Sequence, residues 1–181
     1  MPEQLRGDRV VLRPMNRADV ARLHRWLNDP EIMQYWDGRD HPATLDRVET
    51  RFRKSIDGSE RELQRYMIDV VGDESTCIGM VQYSRIHPRA KNTQLDVLIG
   101  DSAFRDAGYG AEAVRVLLAH LFVTHKVHRV WFMVRASNAR AMRGAERAGF
   151  VREGVLRSHD HLEGQFVDVV VYGMLRSEWK G

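Results

Sequence analysis

Residues Phe104 to Val114 read FRDAGYGAEAV and follow, after Ser102 and Ala103, on the apolar run LDVLIGD, Leu95 to Asp101. Gly108 and Gly110 lie one residue apart where a strand-like pattern gives way to a helical one. Without a β-carbon the chain can turn tightly there and bring its N–H groups within hydrogen-bonding distance of a ligand. The helix that follows leaves the N–H groups of its first turn unpaired and points the positive end of its dipole at the same loop. Both features favour a bulky anion such as a pyrophosphate. The spacing is neither G-x-x-x-x-G-K-[ST] nor G-x-G-x-x-G, so the P-loop and dinucleotide fingerprints do not apply.

Outward from this segment the chain alternates between strand and helix. Val114, Leu117, Leu118, Leu121 and Phe122 keep the i, i+3, i+4, i+7, i+8 spacing of an amphipathic helix about four turns long. RVWFMV (Arg129 to Val134) reads as a strand too apolar to have a wet face, and a helix from about Ala139 to Ala148 closes at Gly149. The strand-helix-strand order predicts a parallel pair at the sheet centre. Upstream, YMIDVV, CIGMVQYSRI and TQLDVLIG are separated by turns and predict an antiparallel meander. Downstream, VREGVLRSHDHL and FVDVVVYGML flank Glu163 and Gly164 as a terminal hairpin. At the N-terminus, RVVLR (Arg9 to Arg13) is a strand. Asn16 can cap a helix bearing Val20, Leu23 and Leu27, and Thr44 one bearing Leu45, Val48, Phe52 and Ile56. This reads as an α+β fold of about seven strands and four helices.

The 181 residues carry no repeat, low-complexity stretch or Pro/Gly-rich linker, so one domain spanning 1–181 is expected. A 43% hydrophobic and 29% charged composition excludes disorder. The 28 basic and 25 acidic side chains nearly balance, which is weak evidence for a nucleic acid partner. No run approaches the ~18 apolar residues of a membrane span, and MPEQLRGDRVV lacks the apolar core of a signal peptide. The single cysteine, Cys77, excludes an internal disulfide and reads as a buried strand position. A cytoplasmic location is expected, and the sequence is compatible with a homodimer.

Arg105-Asp106-Ala107-Gly108-Tyr109-Gly110 resembles the R/Q-x-x-G-x-G/A acyl-CoA signature of the GNAT superfamily of N-acetyltransferases. Asn138 with Ala141, ERAGF (Glu146 to Phe150) and EGVLR (Glu153 to Arg157) are similar to its second cofactor segment. VDVVVYGMLRSEW resembles the closing strand of the ribosomal-protein and spermidine branches, and LRPMNRADV and WLNDPEIMQYW resemble the N-terminal part of those branches and of aminoglycoside acetyltransferases. The likeness covers almost the whole chain. It implies a mixed, mostly antiparallel GNAT sheet splayed in the middle, acetyl-CoA as cosubstrate, and direct attack of a primary amine on the thioester.

Residue by residue, the resemblance implies that the strand end Leu98, Ile99 and Gly100 borders the gap, with a β-bulge near Val97 to Ile99. The amides from Arg105 through Asp106, Ala107, Gly108, Tyr109 and Gly110 to Ala111 would hold the pyrophosphate, with the Arg105 side chain adding charge. Asn138, beside Ala141, would bond the pantetheine arm. A backbone N–H near Ile99 would polarise the thioester carbonyl. Two donors of the family are missing: Ala145 stands where a tyrosine often precedes the glutamate, and Ala141 where the ribosomal branch has a serine. A thiol of pKa about 8.5 lies ~1.5 units above neutrality, so the lost acid costs at most ~2 kcal/mol.

The base depends on the acceptor. A lysine-like amine is neutral in about one molecule in 2,500 at pH 7, a penalty near ~4.6 kcal/mol, against roughly 1 kcal/mol for an α-amine. Asp160 in RSHDHL matches an acidic position implied as base; Asp96 and Glu31 are rivals, and a water relay or a carbonyl is a further alternative. Tyr35, Trp36 and Tyr83 are candidates for contact with the acceptor, expected to be a protein N-terminus or, alternatively, a polyamine or aminoglycoside. His159 and His161 share one side of a strand, but no third ligand is placed by spacing, so no metal is expected. The basic cluster RFRKS reads as a solvated helix face. A different class of function, an acyl-CoA sensor or a module docking RNA or the ribosome, would bind without releasing thiol.

Overall fold

The computed structural model describes residues 3–36 and 42–181, with the backbone alone at residues 74 and 75. Eight strands form one sheet: β1 (Leu5–Arg6), β2 (Val10–Pro14), β3 (Leu63–Val70), β4 (Asp73–Ser84), β5 (Asn92–Ile99), β6 (Arg129–Arg135), β7 (Val151–Leu162) and β8 (Gln165–Leu175). Their order is β1-β2-β3-β4-β5-β6-β8-β7, antiparallel throughout except for the β5–β6 pair. The helices are α1 (Asp19–Trp26), α2 (Pro30–Met33), α3 (Leu45–Ile56), α4 (Tyr109–Ala119) and α5 (Ala139–Arg147). The seven expected strands are present, and the short β1 is the eighth. The four expected helices are joined by α2, a single turn that begins at Pro30 and is capped by Asp29.

Period-2 strands and amphipathic helices divide the core between the two sheet faces. On one face α4 buries Ala113, Val114, Leu117 and Leu118 against Leu12, Ile68, Leu95 and Val130. On the other, Leu23 and Trp26 of α1 and Val48 and Phe52 of α3 cover Met67, Met80 and Leu98. The long helical pattern expected after the glycines stays α-helical only to Ala119; His120–Thr124 form a π turn that still buries Leu121 and Phe122. Thr44 caps α3 as expected, accepting from the Arg47 amide. Asn16 caps the turn that leads into α1: its Oδ1 accepts from the Ala18 amide and its carbonyl from the Asp19 amide, while Asp19 reaches back to the Asn16 amide as in a capping box.

The feature that positions the site is the short parallel contact. β5 and β6 pair only through Asn92, Gln94 and Thr93 opposite Arg129, Trp131 and Val130, and then diverge. The bulge expected near Val97 to Ile99 is absent. The β4–β5 ladder runs without a shift from Tyr83↔Leu95 to Gly79↔Ile99, and side chains alternate strictly between faces. β5 therefore leaves β6 as an undistorted strand; the register shifts lie instead between β3 and β4, around Asp69, and within the terminal hairpin.

Candidate acetyl-CoA and acceptor site

Strand alternation decides which backbone groups line the gap. Gly100 donates to the Ile78 carbonyl at 2.8 Å, so Leu98 and Gly100 turn their N–H groups toward β4. The amides of Val97 and Ile99 face the other way, into the opening. Across it, Ala136 donates to the Asp168 carbonyl, which turns the alternate residues Met133 and Arg135 of β6 toward the gap. Of the three strand-end residues expected at the cofactor, only Ile99 presents a backbone donor there. Gly100 has a packing role: a Cβ would come within 2.0 Å of the Trp26 ring.

The glycine segment forms a cradle of amides. Asp106 and Gly108 hold φ of +60° and +86°, and Gly108 is the N-cap of α4. Among the described residues, no protein acceptor receives the N–H groups of the six residues Asp106 to Ala111; the next amide, that of Glu112, closes the first turn onto the Gly108 carbonyl at 3.0 Å. Arg105 is corrected in both its expected roles. Its own amide is taken by Ser102, and its guanidinium, only 8% exposed, is committed elsewhere. It donates to the Ile99 and Gly100 carbonyls and pairs with Glu31 at 2.6 Å and Asp29 at 3.1 Å. Arg105 thus ties the end of β5 to α2 rather than standing free for phosphate.

The cradle is braced from the N-terminal strands. Buried Glu112, in the first turn of α4, accepts from the Arg9 amide at 2.6 Å. The Arg9 side chain bonds the Ala107 carbonyl and lies over the Tyr109 ring, 4.1 Å from its centre. Nothing in the sequence singled out Arg9, because the contact spans about a hundred residues. Asn138 caps α5, its Oδ1 accepting from the Ala141 amide at 3.0 Å, which leaves its NH2 group as the donor.

The residues read as acceptor candidates on β5 and β6 lie on the face of the sheet opposite α4. Asp96 and Leu98 of β5 share that face with Met133 and Arg135 of β6, as the Gln94↔Trp131 pairing requires. Burial holds the Asp96 carboxyl above its ordinary pKa, against the pull of hydrogen bonds from Gln82 at 3.0 Å and Gln94. Asp160 is in the reverse condition. Arg135 Nε donates to it at 2.6 Å and, despite some burial, holds its pKa below the usual carboxylate range. The same guanidinium reaches the Gln34 carbonyl at 2.7 Å, which brings the turn carrying Tyr35 and Trp36 to β6. Tyr35 is exposed, and Trp36 packs on the core under α1 and α3. Glu31 is bound to Arg105 and Arg140. Tyr83 does not join the group: it faces the α4 side beside His125 and lines a separate hollow with Glu60, Arg61 and Arg85. Among the described residues no cluster of three or more His, Cys, Asp or Glu side chains could hold a metal ion.

A splayed parallel pair with gap-facing backbone groups, leading to amides at a helix N-terminus, suits a class of protein that takes a phosphorylated ligand. Comparison with known proteins gives the class its name. Residues 9–151 match the acetyltransferase (GNAT) domain model, and the chain belongs to that family. It is 28% identical to an aminoglycoside N(6')-acetyltransferase type 1 of Klebsiella pneumoniae, over 85% of this chain and 80% of that enzyme. The fold superposes on the spermidine N-acetyltransferase of Vibrio cholerae in complex with CoA and spermine with a TM-score of 0.83, at 23% identity over 95% of this chain and 98% of that one. It superposes on RimL, a ribosomal L7/L12 α-N-protein acetyltransferase in complex with coenzyme A, with a TM-score of 0.84, at 19% identity over 96% and 98%. The protein is an N-acetyltransferase with acetyl-CoA as its cosubstrate. Its eight-stranded mixed sheet is the GNAT fold.

Proposed function

We propose that this enzyme acetylates an α-amine or another singly charged primary amine, by direct attack on acetyl-CoA in a ternary complex, with Asp96 taking the amine proton. The observation that carries the reading is the run of six unpartnered amides, Asp106 to Ala111, beside a gap into which the Ile99 N–H points. A diphosphate satisfies such amides and the dipole of α4. Pantetheine pairs with the gap-facing groups of β5 and β6, and the Ile99 N–H donates to the thioester oxygen as negative charge grows on it. The amine nitrogen forms its bond to the acetyl carbon, its proton passes to Asp96, and the thiolate leaves to be protonated from water.

Asp96 is preferred to Asp160 on electrostatic grounds. A base works best when its pKa approaches the working pH, and Asp96 is shifted toward that range while Asp160 is shifted away. The acceptor class follows from the same charges. Asp29 and Glu31 share Arg105, Glu31 also meets Arg140, and Asp160 is held by Arg135, whereas Asp96 sits among glutamines and pairs with no cation among the described residues, which offers it to one ammonium group. A polyamine needs several. A cytoplasmic setting suits the single buried thiol.

The test is CoA titration followed by thiol release from acetyl-CoA over a panel of N-terminal peptides, monoamines, spermidine and an aminoglycoside. Peptides or monoamines should give the highest kcat/KM. Preference for spermidine would overturn the acceptor assignment, and saturable binding without thiol release from any amine would leave a sensor.

A further inference from the structure

The cradle that receives a diphosphate carries a negative charge of its own. Asp106 supplies the first of the six free amides, and a carboxylate at that rim repels an anionic ligand. The structure pairs it with a residue from across the gap. Arg140, in the first turn of α5, places Nε 3.3 Å from Asp106 Oδ1 and Nη2 3.4 Å from Glu31 Oε1. One guanidinium therefore joins the loop after β5, the turn α2 and the start of α5. The contrast with Arg105 is informative. Arg105 is nearly buried and holds Glu31 at 2.6 Å, whereas Arg140 is half exposed and both its contacts are long. Loose, solvated pairs are worth little, and such a guanidinium exchanges partners at small cost.

We infer that Arg140 is a phosphate ligand held in reserve: its guanidinium leaves Asp106 and Glu31 for the diphosphate of the cofactor, and Asp106 competes with the cofactor for it. The guanidinium is in contact with the side chain of the residue that carries the first amide of the cradle. A phosphate seated on those amides comes within reach of a planar donor suited to bidentate contact. Displaced from Arg140, the Asp106 carboxylate turns to water, since its side chain is already exposed. Nothing in the glycine signature marks Arg140; it is found only by asking what neutralises Asp106.

The inference rests on the cofactor site proposed above, and the test separates the two. CoA affinity is measured by calorimetry for wild type, Arg140→Gln and Asp106→Asn, and kcat/KM is measured with acetyl-CoA and with phosphate-free acetyl-pantetheine. Asn tolerates the left-handed backbone at position 106, so the loop keeps its shape. Arg140→Gln should weaken CoA about fivefold, the size of one partly exposed charged contact, and Asp106→Asn should tighten it about threefold. Both effects should shrink at high salt and be absent with acetyl-pantetheine. Wild-type protein that fails to bind CoA at millimolar concentration overturns the site itself. Wild-type binding with Arg140→Gln unchanged or tighter overturns the reserve role, as does an equal loss with acetyl-pantetheine.

Discussion

Arg135 donates from Nε to Asp160 at 2.6 Å and from Nη1 to the Gln34 carbonyl at 2.7 Å, so Asp160 is one half of an ion pair that holds the α2 turn against β6. A carboxylate in that position holds Arg135 in place and, through it, the turn after α2. Asp96, bonded by two neutral glutamines and lifted by burial, is free to take a proton.

The two aspartates are therefore expected to separate kinetically. Asp96→Asn should lower kcat by about 10²–10⁴, the usual worth of a positioned acid or base. Asp160→Asn should lower kcat less than about tenfold and raise KM for the amine, because it leaves Arg135 uncompensated and loosens the Gln34 contact. Steady-state kinetics at saturating acetyl-CoA decide it; the opposite ranking would return the base to Asp160.

Glycines at the cofactor end should differ in what they cost. Gly100→Ala puts a methyl group 2.0 Å from the Trp26 ring, buried in the core, so destabilisation of about 3 kcal/mol is expected from overpacking. Gly108→Ala meets no side chain closer than 3.6 Å but keeps φ at +86°, a strain of about 1–2 kcal/mol placed inside the cradle. Denaturant melts should rank Gly100→Ala as the more damaging, while CoA titration should find Gly108→Ala the weaker binder.

Cys77 lies 5% exposed on β4, where burial foremost, with Asp69 nearby, pushes its thiol up to about 12. The thiolate is the reactive form, so the native protein should resist iodoacetamide at neutral pH and react stoichiometrically once unfolded in guanidinium. Mass spectrometry of the alkylated protein reads both states. Rapid labelling of the native fold would mean that this strand opens locally.

Much of this arrangement is legible in the sequence because local chemistry fixes it. The apolar run Leu95 to Ile99, the glycines and the stripe Val114 to Leu118 each carry a period or a backbone need that points to one structure. Thr44 before Leu45 is a capping signal of the same local kind. Pairings across the fold leave no such mark. Arg105 reads as a charge for the phosphates until Asp29 and Glu31, more than seventy residues earlier, are brought beside it. The same holds for Arg135 and Asp160, and for Arg9 and Glu112. The expected bulge failed for a related reason: divergence of two strands needs only an end to their pairing, and strict side-chain alternation in β5 is compatible with that.

The opposed shifts of Asp96 and Asp160 carry opposite pH signatures. Asp96 binds its proton more tightly in the folded state, so its contribution to stability is whole below the unfolded pKa of about 3.9 and is lost as pH rises through the raised native value. Asp160 binds its proton less tightly when folded; its contribution is whole above about 3.9 and is lost as pH falls through the lowered value. The difference in stability between Asp96→Asn and wild type should therefore move in favour of the variant as pH is raised above about 4. For Asp160→Asn the difference should move against the variant as pH rises from about 2 toward neutrality, because only the wild type gains the ionised pair. In activity, the acid limb of the kcat/KM profile should follow the raised Asp96 value and flatten in Asp96→Asn, while Asp160→Asn keeps it. Thermal melts and pH–rate profiles of the two variants measure both signatures, and an acid limb abolished by Asp160→Asn instead would assign the proton transfer to the Arg135-bound carboxylate.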